Sequence, residues 1–475
     1  MGNSPHTTSI HILDNDSLLN IFHLYRPFLL GEDQHVNIRF QGGGRWAGER
    51  WWYRLAHVCH RWRSLILGSA SYLGLCLVCT YGMPVADMLA HSPLLPLVID
   101  YEYEGITAEE EEAIMLALGH RDRVRRIRFT LPVLTLQRLM MAIDGEYPIL
   151  EYLLLEDLPK AKSTVLILPE TLQTPHLRQL AIEGSIRIPL RSPLLGTAAG
   201  LVIFHLRSYH PSTYFQPTAL LQWLSLMPQL EMLLIAFCFP VSNLDVESQL
   251  ASTPIMTHVT FPNLRVFAFR AVSAYSEAVL SRVTAPRLED FQICYPKELT
   301  TSVPHFLHFM GRTENLRFNR AEFYFYREDV SVEVYPPGAE TEAFSMIVDC
   351  WHLDWQVSSV AQIFNALSQM FSTVEHLTVT LQEHSQSSEE HNEVDRAEWR
   401  KLLRSFRNVK TLRIYDGFVG EFSRSLRLED GEHPLDLLPE LQELTLSGSG
   451  NANDAFASFI DARQNAGRPI TLVKS

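Results

Sequence analysis

A short phrase recurs along this chain of 475 residues. The phrase reads Pro-x-Leu-x-x-Φ-x-Φ, where Φ is Leu, Ile or Phe, and its copies begin at Pro148, Pro175, Pro228, Pro262, Pro286 and Pro439. The apolar positions alone would match roughly a dozen times by chance in a chain of ordinary apolar content, whereas the phrase with its proline would match about once. The copies therefore indicate a repeat. A protein built of repeats usually binds a partner along its length and does no chemistry of its own.

Each copy of the phrase has the pattern of a short β-strand. Alternation places Leu180 and Ile182 on one face of such a strand and Gln179 and Ala181 on the other. The proline ends a preceding helix, because it lacks an amide hydrogen and restricts the residue before it. Weaker copies lie between the others and begin at Leu94, Val124, Leu201, Leu316, Val374 and Val409.

The predicted strands recur at a spacing near 29 residues, with helical patterns between them. Thr107 and Glu110, for example, have the spacing of a capping box before an apolar run. The interval from Leu316 to Val374 is twice the usual one, and residues 344–348 are the candidate for the missing strand. Strand, loop and helix at this spacing are typical of a long leucine-rich repeat. The sequence therefore predicts an α/β fold in which residues 71–475 form a leucine-rich-repeat solenoid, with a curved parallel sheet and helices outside it.

Strand positions that face away from the helices would be free to vary and to contact a binding partner. The candidate contact residues are Arg126, Arg128, Tyr152, Gln179, Arg270, Asp290, Gln292, His376, Thr378, Arg413 and Glu443. The aromatic run at residues 323–326, together with Phe318, could instead form a ligand platform. Aromatic residues in such a run are more typical of strand core, and core is our prediction for them.

The composition indicates a globular protein, with 46% hydrophobic and 20% charged residues. The formal net charge of -14 argues against nucleic acid or an anionic membrane as the main partner. The most apolar stretch, residues 72–90, is interrupted by Gly82, Pro84 and Asp87 and does not have the pattern of a membrane span. The six cysteines are scattered as reduced thiols usually are, and no signal peptide is visible. The sequence therefore predicts a location in the cytoplasm or the nucleus.

Residues 10–66 lack the repeat and carry two amphipathic helical patterns instead, over residues 13–22 and 51–67. Residues 27–50 between them have little apolar periodicity and contain three consecutive glycines, which predicts a loop. The apolar positions of the two patterns are Leu13, Leu18, Leu19, Ile21, Phe22, Leu55, Val58, Cys59, Trp62 and Leu65.

This N-terminal segment resembles an F-box. The family's pattern is Leu-Pro-x-x-x-Leu-Leu-x-Ile-Phe, followed by a helix that reads Leu-x-x-Val-Cys-x-x-Trp-x-x-Leu. Residues 55–65 match the second part closely, and residues 13–22 match the first part with Asp14 in place of the usual proline. The stretch from Leu67 onward is similar to the one through which F-box proteins of mushroom-forming fungi run into their repeats. The resemblance assigns residues 1–70 to an F-box-like helical module that contains the loop.

In that family, the F-box helices dock on the Skp adaptor of a cullin-RING ubiquitin ligase, and the repeat domain holds a substrate for ubiquitin transfer. The resemblance thus implies a Skp-type adaptor and, through it, a cullin as partners, together with an unidentified protein substrate. It implies no enzymatic activity of this chain itself and no cofactor. It also implies that the adaptor contact, or the small core behind it, is formed by Leu13, Leu18, Leu19, Ile21, Phe22, Leu55, Val58 and Trp62.

Three alternatives remain open from the sequence. The N-terminal helices could simply cap the first repeat, as any solenoid requires. The F-box could fail to recruit the ligase, since Asp14 and the long loop depart from the family's pattern, and the protein would then be an interaction scaffold. An enzyme with a site assembled across repeats is the third.

The sequence offers little support for the third alternative. Cys76 and Cys79 have the spacing of metal ligands, but positions three apart on a strand face opposite sides, so buried thiols are predicted. His57 and His60 have no third ligand nearby in the sequence. No catalytic nucleophile, metal set or cofactor cradle is therefore predicted.

Overall fold

The structure is a computed structural model, and it describes residues 13–25, 51–102, 105–158, 164–189, 191–197, 199–239, 241–296, 303–313, 315–381, 396–415, 419–428, 431–447 and 453–474. Contacts between residues divide the chain into two compact units, Met1–Leu201 and Val202–Ser475. The predicted F-box-like module lies within the first unit. Its predicted loop, residues 27–50, lies outside the described residues.

The first unit begins with short helices and continues with strands and helices in alternation. The short helices are α1 (Asn15–Tyr25), α2 (Trp51–Ala56), α3 (His60–Gly68) and α4 (Ala70–Leu73). The elements that follow are β1 (Leu77–Thr80), α5 (Val85–His91), β2 (Leu97–Glu102), α6 (Ala108–Gly119), β3 (Val124–Pro132), α7 (Val133–Met140), β4 (Tyr152–Leu158), β5 (Leu166–Ile167), β6 (Gln179–Gly184), β7 (Ile186–Arg187) and α8 (Pro193–Thr197).

A parallel ladder runs through this unit in the order β1, β2, β3, β4 and β6, while β5 pairs with β7. Parallel partners in register share a face of the sheet, so the alternation within each strand holds across the ladder. Leu153 on β4 is the partner of Leu180 on β6, and both are fully buried. Tyr152 and Gln179, one residue earlier on each strand, are partners on the opposite face. The predicted core positions Leu180 and Ile182 are buried, but Ala181 and its partner Leu154 on the opposite face are buried as well, at 4% and 1% exposed.

The second unit continues the alternation of strands and helices. Its first elements are β8 (Ile203–Ser208), α9 (Pro217–Leu224), β9 (Met232–Phe237), α10 (Asn243–Ser252), β10 (Val259–Thr260), β11 (Val266–Arg270), α11 (Ser273–Leu280), β12 (Val283–Thr284), β13 (Asp290–Tyr295) and α12 (Pro304–Gly311). The remaining elements are β14 (Arg320–Phe325), β15 (Asp329–Tyr335), β16 (Phe344–Asp349), α13 (Leu353–Ala366), β17 (His376–Leu381), α14 (Arg396–Arg404), β18 (Thr411–Tyr415), α15 (Val419–Leu426), β19 (Glu443–Ser447), α16 (Asn453–Asn465) and β20 (Thr471–Lys474).

The sheet of the second unit is mostly parallel, with an antiparallel interruption. Parallel pairing joins β8, β9, β11, β13 and β16, and again β14, β17, β18, β19 and β20. Between these runs, β15 is antiparallel to both β14 and β16. The prediction of a wholly parallel sheet is therefore wrong here. Residues 326–328 are too short a connection for a crossover, so the chain turns back on itself.

In each copy of the phrase, the strand begins at a fixed number of residues after the proline. In every copy the strand begins at the fourth residue after the proline, as β6 does after Pro175 and β19 does after Pro439. The amide of Leu177 donates to the carbonyl oxygen of Thr174 (3.1 Å), and the amide of Leu441 donates to that of Leu438 (3.0 Å). The proline therefore occupies the second position of a β-turn, where its fixed φ is favoured. The phrase encodes a turn followed by a strand.

The weak copy at Leu316 keeps this turn but delays the strand. The amide of Leu316 donates to the carbonyl oxygen of Thr313 (3.4 Å), yet β14 begins only at Arg320. A delay of two residues preserves which side chains face the core, because the period of a strand is two. Phe318, Phe323 and Phe325 are accordingly buried, as predicted for strand core. The prediction of core is wrong for the tyrosines of the run, since Tyr324 lies on the other face and is half-buried, and Tyr326 is 38% exposed in the turn after the strand.

Candidate functional site

The second predicted helix of the N-terminal segment is interrupted. α2 ends at Ala56 and α3 begins at His60, while Cys59 between them is extended, with φ -159° and ψ 169°. The amide of Trp62 donates to Sγ of Cys59 (3.5 Å), so that Cys59 caps α3. The prediction of one helix over residues 51–67 is therefore wrong at residues 57–59, because a capping residue takes non-helical backbone angles.

Asp14, which replaces the usual proline of the F-box pattern, caps α1. The amide of Ser17 donates to Oδ1 of Asp14 (2.7 Å), and the hydroxyl of Ser17 donates to Oδ2 (3.1 Å). These two hydrogen bonds, the amide bond first, hold the pKa of Asp14 below its ordinary value. An aspartate at this position is therefore compatible with the helix.

Most of the predicted adaptor residues pack into the helical segment itself. Leu18 and Phe22 are 0% and 1% exposed, and the ring of Phe22 meets that of Trp62 at a centroid distance of 4.9 Å. Arg61 joins the start of α3 to the start of α1, since its Nη2 donates to the carbonyl oxygen of Leu13 (2.6 Å). The half-buried members of the predicted set are Leu13, Leu19, Leu55 and Trp62.

Ile21 and Val58 are the predicted adaptor residues that the fold leaves exposed, at 44% and 59%. α1 also exposes Leu24 and Tyr25, at 80% and 56%, although the family's pattern does not single them out. The sequence could have predicted that Leu24 lies beside Ile21, because residues three apart on a helix are neighbours on its surface. Several large apolar side chains exposed within one short helical segment are typical of an interaction surface.

Four of the predicted substrate contacts lie in the first unit. Arg126, Tyr152 and Gln179 are successive register partners on β3, β4 and β6, so their side chains share one face. Arg128 lies two residues further along β3 on that face and is only 6% exposed, because its Nη2 pairs with Oε2 of Glu102 (2.8 Å). The structure brings the first three together and places Arg128 in a buried ion pair. Their contact with a substrate stays a prediction.

The other predicted contacts lie in the second unit, in two groups that β14, β15 and β16 separate. The first group lies on β11 and β13, where Arg270 is the register partner of Cys294. The second group lies on β17, β18 and β19, where Thr378 is the partner of Arg413. The first group consists of Arg270, Asp290 and Gln292, and the second of His376, Thr378, Arg413 and Glu443.

Asp290 is buried rather than presented to a partner, with 4% of its surface exposed. This burial, reinforced by the negative charge of Glu342, raises its pKa to about 7, although a hydrogen bond from Nε2 of Gln292 to Oδ2 (3.2 Å) opposes the shift. Little of Asp290 is therefore accessible to a partner, and its contact with a substrate stays a prediction. Alternation fixes the face on which a side chain lies, but neighbouring side chains decide how much of it remains accessible.

The polar face shared by β14, β15 and β16 was missed by the sequence analysis. Glu322 and Glu333 are direct cross-strand partners there. The hydroxyl of Tyr335 donates to Oε2 of Glu333 (2.5 Å), and the guanidinium carbon of Arg320 lies 4.0 Å from the centroid of the Tyr335 ring. Antiparallel pairing brings these residues together. The available signal was the short connection at residues 326–328, which excludes a helical crossover.

Signs of a metal centre or a membrane span are absent from the described part of the chain. Within it, no group of three or more His, Cys, Asp or Glu side chains is placed to hold a metal ion. Cys76 and Cys79 are buried and form no disulfide, as predicted. None of the helices in the described ranges combines the length and apolar character that a bilayer crossing requires.

Comparison with protein-family models and with curated proteins identifies no relative of this chain. No protein-family model matches the chain, and a search of curated proteins finds no significant match.

Proposed function

We propose that this protein is the substrate-receptor subunit of a Skp-cullin-F-box ubiquitin ligase, and that its repeats form a leucine-rich-repeat solenoid which binds a protein substrate. The observation that carries the proposal is the exposure of Ile21 and Val58. Both are positions of the F-box pattern, and both lie on a segment whose other pattern positions pack inward. Complete burial of a large aliphatic side chain stabilises by about 1.5–3 kcal/mol. The surface of an adaptor would supply that burial.

The repeat geometry supports the solenoid. The amide of Arg265 donates to the carbonyl oxygen of Glu231 (2.8 Å), and the amide of Glu289 donates to that of Arg265 (2.8 Å). These residues hold equivalent positions, three after the proline, in successive copies of the phrase. Equivalent positions that bond to one another from copy to copy are what a stack of like units requires. The polar strand positions would then line an extended binding surface.

The proposed mechanism needs no catalytic residue in this chain. A receptor that holds its substrate beside a ubiquitin-loaded enzyme raises the effective concentration of the substrate at that enzyme. The receptor would act in the cytoplasm or the nucleus, and cysteines outside disulfides, such as Cys76 and Cys79, are in keeping with those reducing compartments. Proximity labelling during proteasome inhibition would identify candidate substrates as neighbours that accumulate.

Co-purification with a Skp-type adaptor tests the proposal. The wild-type chain should retain the adaptor, whereas Ile21→Asp and Val58→Asp should each weaken retention about tenfold or more, since a charge would be buried against an apolar surface. Both positions are exposed, so neither change should unfold the protein. Met141→Asp is the matched control, because Met141 is 80% exposed in the same unit but lies outside the F-box pattern.

Three results would count against the proposal. A wild-type chain that fails to retain the adaptor would overturn it. Undiminished retention by both aspartate variants would show that the adaptor does not use these helices. A stable complex with the adaptor that never contains a cullin would favour the alternative, a non-catalytic interaction scaffold.

A further inference from the structure

Exposed aromatic side chains lie where β16 passes into α13. Trp351 and Trp355 are 64% and 58% exposed, and Tyr326, in the turn between β14 and β15, is 38% exposed. Tryptophan is among the residue types that dominate binding energy at protein interfaces. On average it is highly buried in folded proteins. We call Tyr326, Trp351 and Trp355 the aromatic edge.

The aromatic edge is held by a buried side chain. Gln356 is 1% exposed, and its Nε2 donates to the carbonyl oxygens of Tyr326 (3.0 Å) and Cys350 (2.6 Å). The amide of Cys350 also donates to the carbonyl oxygen of Glu328 (2.8 Å). These hydrogen bonds tie the start of α13 to the turn between β14 and β15. The exposed rings therefore project from a fixed frame, which reduces the entropy lost when they bind a partner.

The segment that carries the aromatic edge is rich in acidic residues. Residues 320–355 contain eight aspartates and glutamates but only two arginines, Arg320 and Arg327. Residues 340 and 342 lie in the connection at the far end of β15, whereas Asp329 and Asp349 lie at the strand ends that adjoin Tyr326 and Trp351. Carboxylates at that end favour a cationic partner.

The strand register places four of these carboxylates on one face of the sheet. Asp329 and Asp349 are direct cross-strand partners, as are Glu322 and Glu333, and like charges directly opposite each other are unfavourable. Arg270 pairs with Asp349, with Nη2 and Oδ2 2.9 Å apart. Burial, reinforced by the negative charges of Asp349 and Glu328, raises the pKa of Asp329, although the nearby guanidinium of Arg270 opposes the shift.

We propose that the aromatic edge and the acidic face of β14, β15 and β16 dock a segment of the protein substrate that is rich in lysine or arginine. The carboxylates attract the cationic segment, and the indole rings stack against its guanidinium or ammonium groups. Nucleic acid and acidic peptides would be repelled by the same charges. The identity of the occupant as a substrate rests on the proposed function, but binding of a basic peptide can be measured without it.

Fluorescence anisotropy with the full-length chain tests this surface. The probe is a labelled arginine-rich peptide, and an aspartate-rich peptide of the same length serves as its comparison. The arginine-rich peptide should bind, and more weakly as salt is raised, while the aspartate-rich peptide should not. Trp355→Ala and Asp329→Asn should each raise the dissociation constant about three- to tenfold.

Matched controls separate this surface from general exposure and charge. Tyr209→Ala removes an aromatic residue that is 47% exposed on the same unit, and Glu247→Gln neutralises an exposed carboxylate on α10. Both should leave binding of the arginine-rich peptide unchanged. Circular dichroism should show that all four variants remain folded, because each changed residue is at least partly exposed.

The inference would be overturned if the two peptides bound equally, or if Trp355→Ala and Asp329→Asn bound the arginine-rich peptide as tightly as the wild type. Neither result would count against the ligase proposal, because its adaptor contact is proposed for the N-terminal helical segment. Conversely, peptide binding by a chain that fails to retain the adaptor would leave a basic-peptide receptor without a ligase role.

Discussion

Trp62 meets Phe22 edge-on, with ring centroids 4.9 Å apart and ring planes at 64°, and so joins α3 to α1. The contact links the two halves of the F-box pattern, which are separated along the chain by residues 27–50. It also separates the apolar positions of the pattern by role. The aromatic pair holds the helices together, whereas Ile21 and Val58 face outward.

Trp62→Ala should therefore destabilise the helical segment as well as weaken adaptor retention. Loss of a half-buried indole and its aromatic contact should cost about 2–3 kcal/mol of unfolding free energy. Chemical denaturation followed by circular dichroism measures this loss. Ile21→Asp should lower adaptor retention with a change of less than about 0.5 kcal/mol. Equal destabilisation by the two variants would contradict the division into inner and outer positions.

Asp290→Asn should make the stability of the protein less sensitive to pH. The wild-type carboxyl group has a pKa of about 7 when folded against an ordinary value of 3.8, so it favours the folded state below pH 4. That contribution is lost as pH rises from about 4 to 7. Each pKa unit corresponds to about 1.4 kcal/mol, which sets an upper limit of about 4 kcal/mol on the effect.

The measurement for Asp290 is the unfolding free energy of both proteins at pH 4 and at pH 8. The variant should match the wild type within about 1 kcal/mol at pH 4 and should be more stable than it at pH 8. A difference that does not change between the two pH values would show that the carboxyl group does not titrate as described.

Gly184→Ala should be strongly destabilising. Gly184 has φ +110°, and a Cβ atom there would lie 1.4 Å from Oδ1 of Asp157. The carboxylate cannot easily move away, because its Oδ2 accepts a hydrogen bond from the amide of Ser185 (2.9 Å). We expect a loss of more than about 2 kcal/mol in unfolding free energy.

Gly119→Ala is the matched control for Gly184. Gly119 ends α6, its φ is negative, and nothing lies within 4 Å of a Cβ built on it. The alanine there should be neutral or stabilising by up to about 1 kcal/mol. If both alanine variants melted at the same temperature, the account of the turn after β6 would be wrong.

Arg463→Met should destabilise the end of the second unit. Arg463 is 0% exposed, and its guanidinium donates to the carbonyl oxygens of Leu438 (3.2 Å), Pro439 (3.0 Å) and Leu441 (3.0 Å). These carbonyls belong to the turn of the last proline phrase, in which Leu438 has a positive φ of 47°. The carbonyl of Leu438 keeps the amide of Leu441 as a donor, but those of Pro439 and Leu441 would lose the guanidinium, which should cost about 2–3 kcal/mol in unfolding free energy.

The comparison for Arg463 is Arg468→Met on the surface. Arg468 pairs with Glu440 (3.2 Å), but its side chain is 54% exposed, so the loss should be below about 1 kcal/mol. Arg463→Lys should recover part of the stability, because an ammonium group can still donate to one or two of the carbonyls. If Arg463→Met and Arg468→Met lowered the unfolding free energy equally, the buried guanidinium would have no special structural role.

Local chemistry made part of this fold predictable. The proline of each phrase fixes a β-turn, and alternation after it fixes which side chains enter the core, as at Leu180 and Ile182. The capping box at α6 is confirmed, since Thr107 and Glu110 exchange hydrogen bonds of 3.2 and 3.0 Å. Each of these features depends on residues within a few positions of one another, so the sequence was sufficient to predict it.

The F-box resemblance predicted which N-terminal residues form the apolar pattern, but not which of them face inward and which face solvent. Leu18 and Ile21 both satisfy the apolar pattern, yet one is fully buried and the other is 44% exposed. The interruption at Cys59 was also missed, because a cysteine that caps a helix looks like any other small apolar residue within a helical period.

The amino-acid sequence by itself determined the turns, the strand starts, the buried faces and the acidic balance of this protein, because these follow from backbone geometry and side-chain character over short distances. Only the tertiary structure decided that β15 runs antiparallel, that Asp290 is enclosed, and that Trp351 stands exposed beside paired carboxylates. Those outcomes depend on which distant segments lie side by side. Pairing of that kind is set by the packing of the whole unit, and no short stretch of residues encodes it.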